Sequence, residues 1–280
     1  MRKKPPYNTS DVLHLIDKAA SMGFFGFQLG PLWSFPNIDG VQVKKRLDAL
    51  QLHRNVHVGG IYNAEKFLSD DDVYRQALNE ICNGINLCRQ VSSKLVSFHP
   101  PFFPDNRKPD GDILVECQAA FRTFIHQIMS LTEPYEIAIA VESFCYPPFI
   151  FSGIKDFTAF IQQFPPKQVG IVADIGHLFQ ARLDVNNFLL KCRHRLKEIH
   201  IHDATHGLDY RQATHLPIGQ GEINFTALIK TLRIIEYQGW LTLEIRGTER
   251  EILMSKKDLE ATLLKLNGKP IVNKYPEESM

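Results

Sequence analysis

No stretch of this chain comes near the roughly 20 consecutive apolar residues needed to cross a bilayer, so a membrane-spanning protein is not expected. The opening Met1-Arg2-Lys3-Lys4-Pro5-Pro6 is basic, but no apolar segment follows it, and it does not read as a secretory signal. Cysteine is scarce: five residues, an odd number without a CxxC pair, offer neither a disulfide framework nor a thiolate zinc site. Such usage fits a reducing, cytoplasmic setting. An excess of one charge is missing as well. Against 32 Lys and Arg stand 31 Asp and Glu, and a net charge of +1 gives no global field for a polyanion, so a nucleic-acid partner is not expected. The densest basic run, Lys191 to Lys197, falls at a predicted helix end, where cations meet the helix dipole, and reads as a solvated terminus.

What the chain does have is apolar content sufficient for a large core, 44% of 280 residues. It also has a regular alternation of strand and helix signals. Buried-strand runs fall near 24–29, 53–58, 95–99, 137–142, 169–174, 197–202 and 241–246. Between them lie amphipathic helical patterns. Thr9-Ser10-Asp11 offers an N-cap to the first helix, Ser69-Asp70-Asp71-Asp72 starts another, and Asn224 caps a later one. Strand–helix alternation without an internal linker predicts a parallel α/β fold, a (β/α)8 TIM barrel. Only seven strands are legible, so the first is expected to be irregular or missing. One domain is expected over 1–268, with a loose C-terminal tail over 269–280.

Four of these strand signals end in side chains that bind metals. They are Ile137 to Glu142, Gly170 to His177, Leu196 to Asp203 and Trp240 to Glu244. A carboxylate or imidazole at the edge of an apolar core is costly unless it is partnered. In (β/α) barrels the strand C-termini and the loops after them build one open functional face. Glu142, Asp174, His200 and Glu244 therefore read as ligands of one divalent cation, an oxygen-rich set suited to Mn²⁺, Mg²⁺, Co²⁺ or Zn²⁺. Taken singly, each has a plainer role: Asp174 as a helix cap, Glu142 as a loop cap, His200 as a hydrogen-bonded histidine.

Further candidates sit near the same strand ends. His177 follows Asp174 by one turn and reads as a metal or substrate contact, or as a simple loop histidine. His57 and His99 end two earlier strands and offer a second metal, substrate contacts or hydrogen-bonded rim positions. His215 precedes Gly219-Gln220-Gly221, which reads as a structural turn because it lacks the lysine and spacing of a phosphate loop. Arg246, two residues after Glu244, shares its face if the strand continues, and could meet an anionic ligand group or an outer salt bridge. The aromatics Phe25, Trp33, Phe35, Tyr62, Phe102, Phe103, Phe144, Tyr146 and Phe149 read mainly as loop packing, with the option of walling a small polar ligand.

The order of these motifs, over roughly residues 10–250, resembles the xylose-isomerase-like TIM-barrel superfamily. The pieces are Phe27-Gln28-Leu29, His57, Phe98-His99-Pro100, Val141-Glu142-Ser143, Asp174-Ile175-Gly176-His177, His200-Ile201-His202-Asp203, the His215 to Ile223 loop and Leu243-Glu244. That superfamily holds sugar and sugar-phosphate isomerases and epimerases, and endonuclease IV-type DNA-repair enzymes. For the first branch the resemblance implies a metal held by Glu142, Asp174, His200 and Glu244. Glu142 and Glu244 would pass a proton to and from the sugar carbon through an enediolate. His177, Arg246, His99, His57 and His215 would orient the substrate, a small sugar or sugar phosphate. For the second branch it implies a zinc cluster and phosphodiester cleavage. There the pattern has an aspartate where this chain has Ala213, and no basic groove is legible for a backbone of phosphates. A metal-binding barrel without catalysis is the third reading. Relatives often pair, so a homo-oligomer is an expectation.

Overall fold

The computed structural model describes residues 6–31, 37–60, 62–104, 111–207 and 210–265. Trp33, Phe35 and the tail over 269–280 lie outside them. The described residues gather into two compact units that meet in sequence between Gly170 and Ile171.

The first unit begins with α1 (Thr9–Ser21), followed by β1 (Gly26–Leu29), α2 (Gly40–Ala49) and β2 (His53–Gly59). It continues through α3 (Ala64–Ser69), α4 (Asp71–Val91), β3 (Leu95–Phe98), α5 (Gly111–Thr132), β4 (Ala138–Glu142) and α6 (Ile154–Ile161). Its strands lie side by side in chain order, and each pair is parallel. The reason is visible in the residues. Ile139, Ala140 and Val141 of β4 are fully buried, as strands covered on both faces must be. Helices α5 and α6 supply the cover. Phe121 and Phe124 of α5 meet Phe98 of β3 edge-on at centroid distances of 6.3 and 6.4 Å, and Phe160 of α6 stacks on Phe121 at 5.6 Å.

Helix starts follow the local chemistry, with two departures from the sequence reading. The cap of α1 is Asn8, one residue earlier than expected, because Asn8 and Asp11 form a reciprocal capping box: Asn8 Oδ1 accepts the Asp11 N–H at 3.0 Å, and Asp11 Oδ2 accepts the Asn8 N–H at 2.9 Å. The six-residue α3, capped by Asn63, precedes the expected start at Asp70, which caps α4 through the Asp72 and Val73 amides.

The second unit takes up β5 (Val169–Asp174), whose first two residues precede the boundary. After it come α7 (Ile175–Gln180), α8 (Val185–Cys192), β6 (Leu196–Ile201) and α9 (Tyr210–Ala213). The unit closes with α10 (Phe225–Ile234), β7 (Trp240–Leu243) and α11 (Glu249–Lys265). β5, β6 and β7 again lie in chain order and parallel. Asn224 caps α10 as expected, accepting the Ala227 N–H at 3.0 Å. β7 is shorter than expected. The Glu244 N–H still reaches Ile201 O at 3.1 Å, but the Arg246 N–H turns away to His215 O at 2.8 Å.

Among the described residues, seven parallel strands alternate with helices along the chain, the architecture of a (β/α) barrel with a short first strand. Among the same residues, no helix is long and apolar enough to cross a membrane.

Candidate metal centre

Two groups of polar side chains stand at the carboxyl ends of the strands, one in each unit. In the first, parallel register sets the group. His57 of β2 lies opposite Ser97 of β3, and Ser97 lies opposite Ala140 of β4. Side chains two apart share a face, so His99 and Glu142 project on the side of Ser97 and Ala140. His99 Nε2 stands 3.2 Å and His57 Nε2 3.6 Å from Glu142 Oε2. The other His57 nitrogen, Nδ1, is 3.0 Å from Ser97 Oγ, which holds the ring's orientation. Glu142 is only 2% exposed, so its charge depends on these neighbours rather than on water. Phe144 meets the His99 ring edge-on at 4.8 Å and stacks on Phe149 at 4.2 Å, giving this group an aromatic wall. Tyr62 belongs to packing instead: its hydroxyl donates to Glu80 Oε2 at 3.0 Å, and the ring is 5% exposed. Phe25, in contrast, is 72% exposed.

In the second unit Asp174, His200 and Thr242 are register partners across β5, β6 and β7. Glu244 follows Thr242 by two residues, while Glu198 and His202 flank His200 by two on either side. His200 Nδ1 sits 3.5 Å from Glu244 Oε2 and 3.9 Å from Asp174 Oδ2. Three of the four predicted ligands therefore meet here. Behind the His200 ring, Nε2 is 3.9 Å from Glu198 Oε1, a fully buried carboxylate that accepts the Thr242 hydroxyl. Sequence reading passed over Glu198 because a lone Glu inside Leu196 to Asp203 carries no pattern of its own.

Asp174 has two tasks. Its Oδ1 accepts the His177 N–H at 2.8 Å, so it caps α7, and its carboxylate also faces three imidazoles. His177 Nε2 is 3.7 Å from Oδ2, and His202 Nε2 lies 3.0 and 3.2 Å from Oδ1 and Oδ2. Burial alone would raise the Asp174 pKa, but the neighbouring His177 ring and the hydrogen bond from His202 outweigh it and hold the carboxyl well below the usual range. The His177, His202 and His215 rings pack together, with centroids 4.2 to 5.2 Å apart. His215 Nδ1 donates to Glu244 O at 2.9 Å, which leaves Nε2 as the ring's lone-pair nitrogen.

Asp203, the last polar residue of the motif His200 to Asp203, plays no part in this group. Its Oδ1 accepts the N–H groups of Ala204 (2.9 Å) and Ile223 (3.2 Å), and its Oδ2 those of Gly219 and Gly221 (2.9 Å each). The glycine turn closes around this carboxylate. Gly219 has φ +87°, and a Cβ on Gly221 would lie 2.4 Å from Asp203 Oδ1. The expectation of a structural turn fits this arrangement, and Asp203 is what the turn wraps. Arg246 lies beyond the end of β7 with an exposed side chain, so strand alternation does not pair it with Glu244.

The donors present suit a divalent ion. Within the first unit, ligand-capable atoms of His57, His99 and Glu142 lie within 4.8 Å of one another, as do those of His177, His202 and His215 within the second. Mixed imidazole and carboxylate donors select borderline divalent cations such as Zn²⁺, Mn²⁺ or Co²⁺ over soft thiolate-seeking ions.

Comparison with known proteins assigns the chain to a family. Residues 16–265 match the family described as xylose isomerase-like TIM barrel, and the chain belongs to it. An uncharacterised protein of Methanocaldococcus jannaschii is 27% identical over 197 residues, 68% of this chain; the match spans 63% of that relative's length. Among solved structures, a D-tagatose 3-epimerase-like protein superposes with a TM-score of 0.77 at 21% identity, covering 90% of this chain and 93% of that one. D-psicose 3-epimerase with D-tagatose from Clostridium cellulolyticum H10 gives 0.70 at 15% identity, covering 91% and 95%. An AP endonuclease, family 2, from Brucella melitensis gives 0.63 at 16% identity, covering 88% and 92%. At these identities the structural likeness speaks for the fold.

Proposed function

We propose that the chain is a divalent-metal-dependent isomerase or epimerase of a small sugar or sugar phosphate. The observation that carries this reading is the meeting of Asp174 Oδ2 and Glu244 Oε2 at His200 Nδ1, 3.9 and 3.5 Å away, on three adjacent strand ends. Glu142 is proposed as the fourth ligand because it ends β4 as Asp174 ends β5. The epimerases among the similar structures support a sugar substrate.

A divalent ion held by these residues would supply the Lewis acidity that makes a proton beside a carbonyl removable at neutral pH. The residues do the rest. Glu244 is partly open, with its side chain 24% exposed, as a group exchanging protons with substrate must be. Glu142 is the proposed partner that returns the proton. His177, His215, His57, His99 and Arg246 are proposed to orient the substrate's oxygens, with the aromatic wall of Phe144 and Phe149 shielding the first group from water.

The test is solvent-deuterium exchange at the carbon beside the carbonyl, with a ketose panel including D-tagatose and D-psicose and with Mn²⁺ or Co²⁺ supplied. Incorporation with at least one sugar supports the reading. Silence across the panel with metal bound favours a metal-binding barrel without catalysis. A second reading, a zinc-dependent phosphodiesterase of the endonuclease IV type, draws on the surplus of donors in the two three-residue groups. Against it stand Ala213 in place of a carboxylate and the near-neutral charge. Two or three zinc ions per chain together with cleavage of an abasic-site duplex would select it.

A further inference from the structure

We infer that His202 is the positioning residue of this centre, held as the neutral Nε2–H tautomer, and not one of its ligands. The inference rests on the proposed metal site and names the residue that aims Asp174 at it. Each ring nitrogen has a committed role. The backbone N–H of His215 points at Nδ1 from 2.8 Å, and a backbone amide can only donate. Nδ1 must therefore offer a lone pair. The carbonyl of Asp203, 3.1 Å from Nδ1, is already served by the Leu216 N–H at 3.0 Å and needs no proton from the ring. The proton then resides on Nε2 and is donated to Asp174, 3.0 Å from Oδ1 and 3.2 Å from Oδ2.

A second proton on Nδ1 would face the His215 N–H head-on. The amide geometry decides for the neutral ring.

The ring has no room to take another pose. It is fully buried, His215 stacks on it at 4.2 Å, and a Cβ on Gly176 would come within 1.9 Å of its Cε1. Gly176 is thus glycine because His202 lies against it. One side chain bonds two residues at once: the carboxylate of Asp174, and the loop backbone of His215, whose φ of +56° is unusual for a residue with a side chain. Partners of this kind typically change metal affinity 10- to 100-fold when removed, by letting the ligand rotate.

Two substitutions separate the two bonds. In His202→Gln the amide NH₂ replaces Nε2 and keeps the donation to Asp174. In His202→Asn the amide oxygen replaces Nδ1 and keeps the acceptor for His215, but nothing reaches Asp174. Mn²⁺ dissociation constants measured calorimetrically on the full chain should rise about 10- to 100-fold for His202→Asn and stay within about threefold for His202→Gln. Equal affinity in wild type and both variants overturns the proposal. So does an equal loss in both that tracks a fall in melting temperature, or the loss of one bound ion per chain in both, which would make His202 a ligand. If either variant fails to fold, long-range ¹H–¹⁵N spectra of the wild type decide: a protonated Nε2 and bare Nδ1 support the inference, and the reverse tautomer overturns it. Wild-type protein that binds no Mn²⁺ would count against the proposed function, while the tautomer measurement still judges His202.

Discussion

Replacing Asp203 by Asn tests whether the polar end of the His200 to Asp203 segment is structural, as the geometry requires. The wild-type carboxylate, 1% exposed, accepts four backbone N–H groups at 2.9 to 3.2 Å, two on each oxygen. Asparagine retains one oxygen. Its NH₂ must then face either the Gly219 and Gly221 amides or those of Ala204 and Ile223, so two donors lose their acceptor and meet another donor. Hydrogen bonds to a charged group contribute about 1.5–3 kcal/mol each, so the expected loss is about 3–6 kcal/mol. For a chain of this size that lowers the melting temperature by roughly 10 °C. Thermal unfolding followed by circular dichroism measures it, and amide hydrogen exchange localises it: Gly219 and Gly221 should lose protection before the strands do. A melting temperature within about 2 °C of wild type, with those amides still protected, would refute the reasoning.

Glu244→Gln keeps the shape of a proposed ligand and removes its charge and basicity; turnover should nearly vanish and Mn²⁺ affinity should fall at least about tenfold. Near-normal turnover of any active sugar defeats the acid/base role. A different prediction concerns acid. Burial, together with the Arg54 charge, pushes the His53 pKa down to about 4, against the pull of Asn55 Oδ1 at 2.9 Å. The fold therefore prefers the neutral ring. That preference is fully present above the unfolded value of 6.5 and is lost as pH falls through 6.5 toward 4. By pH 4.5 the stability lost amounts to about 2.5 kcal/mol at most. His53→Gln should flatten this part of the acid sensitivity, read as urea midpoints at pH 7 and 4.5. Identical acid slopes in the two proteins would contradict it.

The polar strand ends were legible because an apolar run that stops at a carboxylate or imidazole breaks a strong pattern. Asp174, His200 and Glu244 announce themselves that way, and register then brings them together. What stayed hidden is partnership at a distance. The amides that bind Asp203 lie as many as 20 residues along the chain, and the amide that fixes His202 lies 13 along. No local spacing encodes either. Glu198 was invisible because one acidic residue in a strand is ordinarily a solvated one, whereas here it is fully buried in β6 with Thr242 of the neighbouring β7 as its donor. The last strand failed in the opposite sense: alternation was extended through Arg246, but the sheet ends at Leu243 and the backbone turns to His215. The short α3 was missed because six residues cannot show helical periodicity.

The central claim is that the strand-end carboxylates and His200 hold a divalent ion. Metal-stripped full-length protein titrated with Mn²⁺, alongside Asp174→Asn and His200→Ala, tests it most directly. The account predicts saturable binding of one ion per wild-type chain, with both variants at least about tenfold weaker. Wild-type protein that takes up no ion, or variants that bind as it does, would contradict the account.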